Sequence, residues 1–590
     1  MLPRFRSHLS SLLLLLGLLS LLAFKGHTTE YPQDYFRSPL GIPILLSGNF
    51  AEMRSNHFHS GLDIKTNNTT GYRIYAAADG WVSRIKVSPV GYGLALYIDH
   101  PNGYTTVYGH LDRYNPEISA YVKRLQYRQK HFELDTYPDK QAVPVKKGDI
   151  IAFSGNSGSS GGPHLHFEIR NAATEWPINP WLFGLEISDT TPPRIYRMKV
   201  YALDEGSMAI LEPAAGGASL KATPGAPATV EVESTGAAYR LRGIQALRAQ
   251  GRIGFGLQTH DYMNGSQNRL GVYRIRLEAD AETLYRSEME TFSFDVSRYL
   301  NAHVDYAEHE KSSRWFQRSY LLPGNRLPLY QTRDAGTLRP VAGQTHNLHY
   351  FVEDVKGNHA ELRFTVKGME APLPVEAVAK TGTTRIPRSR SSTFQREGLT
   401  ARFDANTFYE DLDLRFAVSP PENGAFSPMF TLHDTFTPVH SPYSLSLLAD
   451  RLPARLQDKA LIGHKDDKGR VSAAGGTYRN GHVTARLRTL GTFFVIVDTT
   501  APKITPVNIR EGQDLRQAAS MQVKIEDDLS GIASYNGTVD GEWVLFAYDP
   551  KRKMLAYDFD ENVPPGNHRL ELVVTDQMGN RTAYAARFRR

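Results

Sequence analysis

At 590 residues, 41% apolar and 22% charged, the chain is too long for one core and too apolar for wholesale disorder, and its length suggests about three to five domains. The net charge of +6 is modest and comes without a Lys/Arg block, which argues against a nucleic-acid partner and leaves at most a weak attraction to an anionic polymer such as a cell wall. With no Cys there is neither a disulfide nor a lipid-modified N-terminal Cys, so apolar cores alone must carry stability.

In chain order, Arg4 and Arg6 precede an apolar run from Leu9 to Phe24, closed by Lys25. Basic, apolar, then polar is the order of a secretory signal peptide, and the run is short for a ~20-residue membrane span. Residues 1–28 are therefore assigned to a signal peptide. The protein is expected to be exported, to a bacterial periplasm or cell envelope, with membrane contact only if that segment stays uncleaved.

Tyr and Phe are plentiful and long helical patterns scarce, which predicts a mainly β chain. Residues 30–187 form a first domain of short alternating strands, among them Trp81–Val87, Leu94–Ile98, Thr105–Tyr108 and Ile150–Phe153, with Asn102-Gly103 as a hairpin turn. A polar insertion at 112–144, helical from Ile118 to Phe132, follows the second motif described below and is placed to wall or cover a site. Further on, Asp189-Thr190-Thr191-Pro192-Pro193 recurs as Asp498-Thr499-Thr500-Ala501-Pro502. Each copy is followed later by an Asp-x-x-Gly-Asn turn, at Asp354–Asn358 and Asp576–Asn580. These echoes predict immunoglobulin-like β-sandwiches at 188–368 and 498–590, a linker at 369–392 and a further β domain at 393–497.

Three short stretches carry the chemistry: His59-Ser60-Gly61-Leu62-Asp63, Tyr108-Gly109-His110-Leu111, and Gly162-Pro163-His164-Leu165-His166-Phe167-Glu168. Zinc takes imidazole nitrogen and carboxylate oxygen, and a catalytic site needs three such ligands and an open position. Four His and one Asp supply three ligands and two spare imidazoles. His164 and His166 alternate about Leu165, so both point to one face of a strand, with Glu168 further along it. Tyr108 and His110 are expected to share one face in the same way. Glu168 is read as a support or salt-bridge partner rather than a base. His57 and His100 are read as structural, Arg54 as either a substrate-carboxylate binder or a surface pair, and Asp261, Asn264 and the two Asp-x-x-Gly-Asn turns as turn chemistry rather than calcium ligands.

The ordered set His-x-x-x-Asp, Tyr-x-His-Leu and Gly-x-Pro-His-Leu-His-Phe-Glu, across about residues 40–175, resembles the M23 metallopeptidases, the lysostaphin and LytM group. The resemblance implies a two-sheet antiparallel β domain holding one Zn2+ per chain through His59, Asp63 and His166. It also implies His110 and His164 as the catalytic histidines that do not ligate. An exported zinc endopeptidase acting on peptidoglycan peptides follows, with water activated by the zinc as nucleophile. The C-terminal β domains would meet the wall or an envelope protein partner. The rival readings are a non-cleaving regulator of another wall hydrolase and an envelope adhesion or assembly protein.

Overall fold

The computed structural model describes residues 31–236, 238–370 and 381–590, so the expected signal segment at 1–28 lies outside the described residues. The chain is mainly β, and its described residues include four large apolar cores in sequence order and a further one that joins the first two units and takes in Tyr409.

The first unit is built from β1 (Leu46–Gly48), β2 (Met53–Arg54), β3 (His57–Phe58), β4 (Leu62–Lys65), β5 (Arg73–Tyr75), β6 (Gly80–Val87), β7 (Leu94–Asp99), β8 (Tyr104–Tyr114), α1 (Pro116–Gln129), β9 (Leu134–Thr136), β10 (Pro144–Val145), β11 (Ile150–Ser154), β12 (His164–Asn171) and β13 (Pro177–Ile178). The main path runs β1-β4-β12-β8-β7-β6-β10, all antiparallel. β8 is a branch point of this one sheet: its first half pairs with β7 and β12, and its end pairs with β11, which leads on to β5. Alternation explains which side faces in. Leu165, Phe167 and Ile169 of β12 are buried with Leu62, Ile64 and Tyr108 in the first core, leaving His164, His166 and Glu168 on the opposite face.

The predicted helix is present and begins slightly earlier than expected. The Asn115 side chain accepts from Ile118 N at 2.9 Å, Pro116 occupies the first turn, and Lys130 ends α1 in the left-handed region. Ile118, Val122 and Gln126 form its buried stripe.

Residues 194–368 contribute a 13-stranded network around the second core. Residues 383–497 form sheets of six and five strands that share one core, and residues 503–589 form sheets of four and five strands that share another. The expected linker at 369–392 is corrected in part. Residues 371–380 lie outside the described residues, but Thr383–Ile386 is a strand paired with Leu412–Ser419, because alternating Thr384 and Ile386 complete that sheet.

The units are not beads on a string. Phe50, Met53 and Phe58 from the first unit are buried with Phe292, Leu300 and Val304 from the second. The C-terminal unit docks on α1: Tyr127 donates to Asp560 at 2.7 Å, Lys123 pairs with the same carboxylate at 2.9 Å, and the Tyr127 ring meets Trp543 edge-on.

Candidate metal centre and its groove

β12 lies between β4 and β8, and the register sets His166 directly opposite Asp63 on one side and Gly109 on the other. Two ligating residue types from distant sequence thus become cross-strand neighbours. His59 reaches the same point from the turn before β4, where its backbone N donates to Glu52 O at 2.9 Å and Ala51 N donates to its carbonyl at 2.8 Å. Gly61 permits this approach, since a Cβ there would lie 2.3 Å from Phe167 O.

His59 Nε2, Asp63 Oδ1 and His166 Nδ1 converge, with separations of 3.0 Å between the imidazole nitrogens, 3.1 Å from His59 to Asp63 and 2.9 Å from His166 to Asp63. The tautomers follow from the far nitrogens. His59 Nδ1 donates to Asn49 O at 2.7 Å, and His166 Nε2 donates to Glu168 Oε1 at 2.8 Å. In the neutral tautomers both near nitrogens are lone-pair acceptors aimed at each other and at a carboxylate oxygen. Three facing acceptors repel unless a cation sits among them. Tetrahedral zinc with bonds near 2.0 Å sets its ligands roughly 3.3 Å apart, close to the edges observed here. The donor set fits a metal.

The electrostatics point the same way. Burial opposes a charge on Asp63, yet His59, His164 and His166 hold its carboxyl well below the usual range. Burial also works against a charge on His166, but Asp63 and Glu168 on its two nitrogens raise it to about 9. His59, dominated by burial, falls to about 4. A proton on His166, between Asp63 and Glu168, supplies the positive charge that a bound metal ion would replace.

Glu168 is fully buried and accepts from Ser60 Oγ at 2.6 Å, Tyr92 OH at 2.6 Å, His166 Nε2 at 2.8 Å and Arg170 Nε at 2.5 Å. Against the cost of burial, Arg170 and His166 keep it ionised. Tyr92 also stacks on the His166 ring at 4.9 Å. Sequence reasoning missed Tyr92, which lies in a loop between β6 and β7 with no ligand type to mark it.

His110 and His164 flank the cluster, with ring centroids 4.8 Å apart. His110 Nδ1 donates to Ser157 O at 2.9 Å and His164 Nδ1 donates to Gly162 O at 2.8 Å, so each keeps its proton on Nδ1 and a lone pair on Nε2. His164 Nε2 is buried without a hydrogen-bond partner and lies 3.3 Å from Asp63 Oδ1. Burial, with His166 and His164 nearby, pushes His110 down to about 3.

The shared face expected for Tyr108 and His110 is corrected. Tyr108 is in the core, where its hydroxyl accepts from Ala77 N at 2.8 Å, while His110 faces the groove. His110 sits at φ +59°, and the β7–β8 register shifts beside it, so a bulge breaks the alternation and re-aims the imidazole.

Arg54 resolves into a partner of Asp63: its Nη2 contacts Oδ2, the carboxylate oxygen turned away from the other ligands. Glu52, 3.6 Å from Arg54, is raised to about 7 by burial. His57 is exposed and its Nδ1 bonds Ser55 O, and His100 bridges Asp79 O and Thr106 Oγ1, so neither joins the cluster.

The groove over the cluster has a volume of about 670 Å3 and is walled by Asn67, Asn68, residues 159–163 and Asn268 of the second unit. No residue of 112–144 lines it; α1 is turned instead toward the C-terminal unit. Lys551 of that unit donates to Asn156 O at 2.5 Å and Ser160 O at 3.2 Å, bracing one wall.

Residues 57–180 match peptidase family M23, and residues 383–498 match the Zu5-like domain. The DD-carboxypeptidase/endopeptidase Mpg of Neisseria meningitidis is 31% identical over 133 residues, 22% of this chain and 24% of that protein. An uncharacterized metalloprotease of Haemophilus influenzae is 34% identical over 137 residues, 23% of this chain and 24% of that protein. The peptidoglycan DD-endopeptidase ShyB of Vibrio cholerae is 33% identical over 111 residues, 19% of this chain and 20% of that protein. The chain thus spans about a quarter of the length of the curated relatives it matches. Among solved structures, the catalytic domain of the prophage-encoded M23 protein EnpA from Enterococcus faecalis is 26% identical and covers 26% of this chain and 98% of that one, with a TM-score of 0.19.

Proposed function

We propose, from the M23 peptidase domain at residues 57–180, that this protein is an exported zinc endopeptidase that hydrolyses peptide bonds in peptidoglycan. The observation that carries the reading is the convergence of three acceptor atoms from His59, Asp63 and His166 beneath two further imidazoles that face the same groove.

In this reading His59 Nε2, Asp63 Oδ1 and His166 Nδ1 hold Zn2+, which supplies Lewis acidity toward a carbonyl oxygen and acidity to water. Glu168 and Asn49 keep the two ligating rings in the tautomers that offer lone pairs. His164 and His110 are both pinned through Nδ1, so their Nε2 atoms take and return protons at fixed positions. One accepts the proton of the attacking water at Nε2 and, now an imidazolium, returns it to the leaving amine; the other would donate to the developing oxyanion only when it carries a proton on its own Nε2. Tyr92 and the Glu168–Arg170 pair close the floor of the site against water from behind.

Support for cleavage over mere binding is that all five side chains are present and that the insertion leaves the groove clear. Peptidoglycan as substrate draws support from the name of the Vibrio relative, a peptidoglycan DD-endopeptidase. Export draws on the basic-then-apolar order of residues 4–25.

Purified protein with zinc should release new free amines from peptidoglycan, with fragments identified by mass spectrometry and a chelator control. His59→Ala and Asp63→Ala should lose both zinc and activity. His110→Ala and His164→Ala should keep zinc and lose about 10²–10⁴-fold in kcat. Full activity in either ligand variant refutes the reading.

A further inference from the structure

Where the first unit passes into the second, three carboxylates from distant positions meet. Asp189 enters the second unit, Asp261 follows the strand Ile253–His260, and Asp354 opens the Asp-x-x-Gly-Asn turn after the strand Thr345–Glu353. Their oxygens lie within 4.8 Å of one another, and all three side chains are buried. Turn chemistry accounts for part of this arrangement. Asp354 accepts from Asn358 N at 2.9 Å and Asn358 Nδ2 at 2.7 Å, and Asp189 Oδ1 accepts from Thr191 N at 2.9 Å.

It does not account for the rest. Asp261 Oδ1 and Asp189 Oδ2 are buried with no hydrogen-bond partner, and Asp261 is only 3% exposed. The charges that act on Asp261 are those of Asp354 and Asp189, all of one sign. Buried carboxylates that repel one another, and two of whose oxygens have no donor, call for a cation.

The same frame recurs as Asp498, Asp527 and Asp576 and makes an internal contrast. There the oxygens are taken up by N–H donors. Thr500 N and Ser530 N donate to Asp498, Leu529 N and Gly531 N to Asp527, and Met578 N and Asn580 N to Asp576. No carboxylate oxygen of the second triad is buried without a donor, whereas two of the first are.

We propose that Asp189, Asp261 and Asp354 bind one calcium ion at the junction between the peptidase domain and the unit that follows it. All three side-chain donors are carboxylate oxygens, with no His or Cys, which selects a hard divalent cation over zinc. The adjoining cavity, bounded by Asn49, Asn179, Trp181 and Gly271, is about 10 Å3, room for a single dehydrated ion. Magnesium, which keeps several of its waters, does not suit so small a space; calcium, which gives them up for carboxylate and carbonyl oxygen, does. Because Asn49 bounds the cavity and its carbonyl orients His59, the ion would stiffen the platform beneath the peptidase ligands without touching substrate.

The test uses the full chain, freed of divalent ions by dialysis and reloaded with one equivalent of zinc. Calorimetric titration with CaCl2 should give one site per chain, with MgCl2 far weaker. Saturating calcium should raise the melting temperature of the transition that includes the second unit by roughly 5 °C. Terbium should bind in its place and luminesce through Trp181 beside the cavity. Asp261→Asn and Asp189→Asn, both isosteric, should abolish the calcium heat and the thermal shift, while Asp527→Asn leaves them unchanged. Absence of calcium binding at millimolar concentration overturns the proposal. So does binding that persists in both first-triad variants, or that is lost in Asp527→Asn.

Discussion

Replacing Glu168 by Gln should damage the metal centre without touching a ligand. The carboxylate is fully buried and accepts from four side chains, of which Arg170 is a buried cation and His166 is, through its other nitrogen, a ligand of the proposed metal. Gln keeps the shape but removes the charge, and its amide NH2 must face at least one N–H or O–H donor. Breaking a buried pair by removing one partner costs about 3–5 kcal/mol, because the remaining charge is left uncompensated. Loss of the acceptor that fixes a ligating imidazole typically weakens metal binding about 10–100-fold. Two readouts follow. Denaturant unfolding of the zinc-free protein should lose stability of the first size, and competition with a chromophoric chelator should show zinc affinity reduced by the second factor. Saturating zinc should then restore much of the activity, since His110 and His164 are untouched. If both stability and zinc affinity match the parent protein, the account of Glu168 as the anchor of His166 is wrong.

Three further outcomes are expected. His303 is fully buried between Tyr330 OH at 2.9 Å and Gln317 Oε1 at 3.1 Å, and burial pushes it from 6.5 to about 4. The unfolded chain protonates first, so stability present above pH 6.5 should be lost as pH falls toward 4, by up to about 3 kcal/mol. His303→Gln should flatten that part of the denaturation-midpoint profile, and an unchanged slope would assign the loss elsewhere. Gly61→Ala sets a methyl against the Phe167 carbonyl and should destabilise by about 1–3 kcal/mol while shifting β4 and lowering zinc affinity; unaltered unfolding and zinc titration would refute the packing argument. Asp560→Ala removes the carboxylate that Lys123 and Tyr127 share, and should raise hydrogen exchange in α1 but not in β12.

What the sequence made legible follows from locality. His59 and Asp63 lie four apart, and His164 and His166 lie two apart on one strand, so their chemistry is written in short windows that period and spacing can decode. The strands Gly80–Val87, Leu94–Asp99 and Gly491–Val497 carry their alternation or apolar runs within a single element. What stayed hidden depends on long-range pairing or on backbone irregularity. The His110 bulge is a register event between β7 and β8 that no alternation pattern within β8 announces. Tyr92 and Glu52 matter only because loops bring them to Glu168 and Arg54. Asp261 reads as a turn residue until the fold sets it beside Asp189 and Asp354.

The same long-range contacts bear on what counts as the working unit. The Asn49 carbonyl that orients His59 belongs to a residue whose side chain is held by the second unit: Nδ2 donates to Gly271 O at 2.8 Å, and Gly271 N donates to Oδ1 at 2.7 Å. Phe50, Met53 and Phe58, which flank His59 in sequence, are covered by Phe292 and Leu300 of that unit. Exposing so contiguous an apolar surface next to a metal ligand would cost both solubility and the geometry of His59. A fragment ending near residue 187 would therefore carry every side chain of the motif set yet lack the scaffold that fixes one of its three ligands. The second unit is part of how the proposed metal centre is built, and its contribution lies in the few hydrogen bonds and the shared apolar core that reach back to Asn49 and its neighbours.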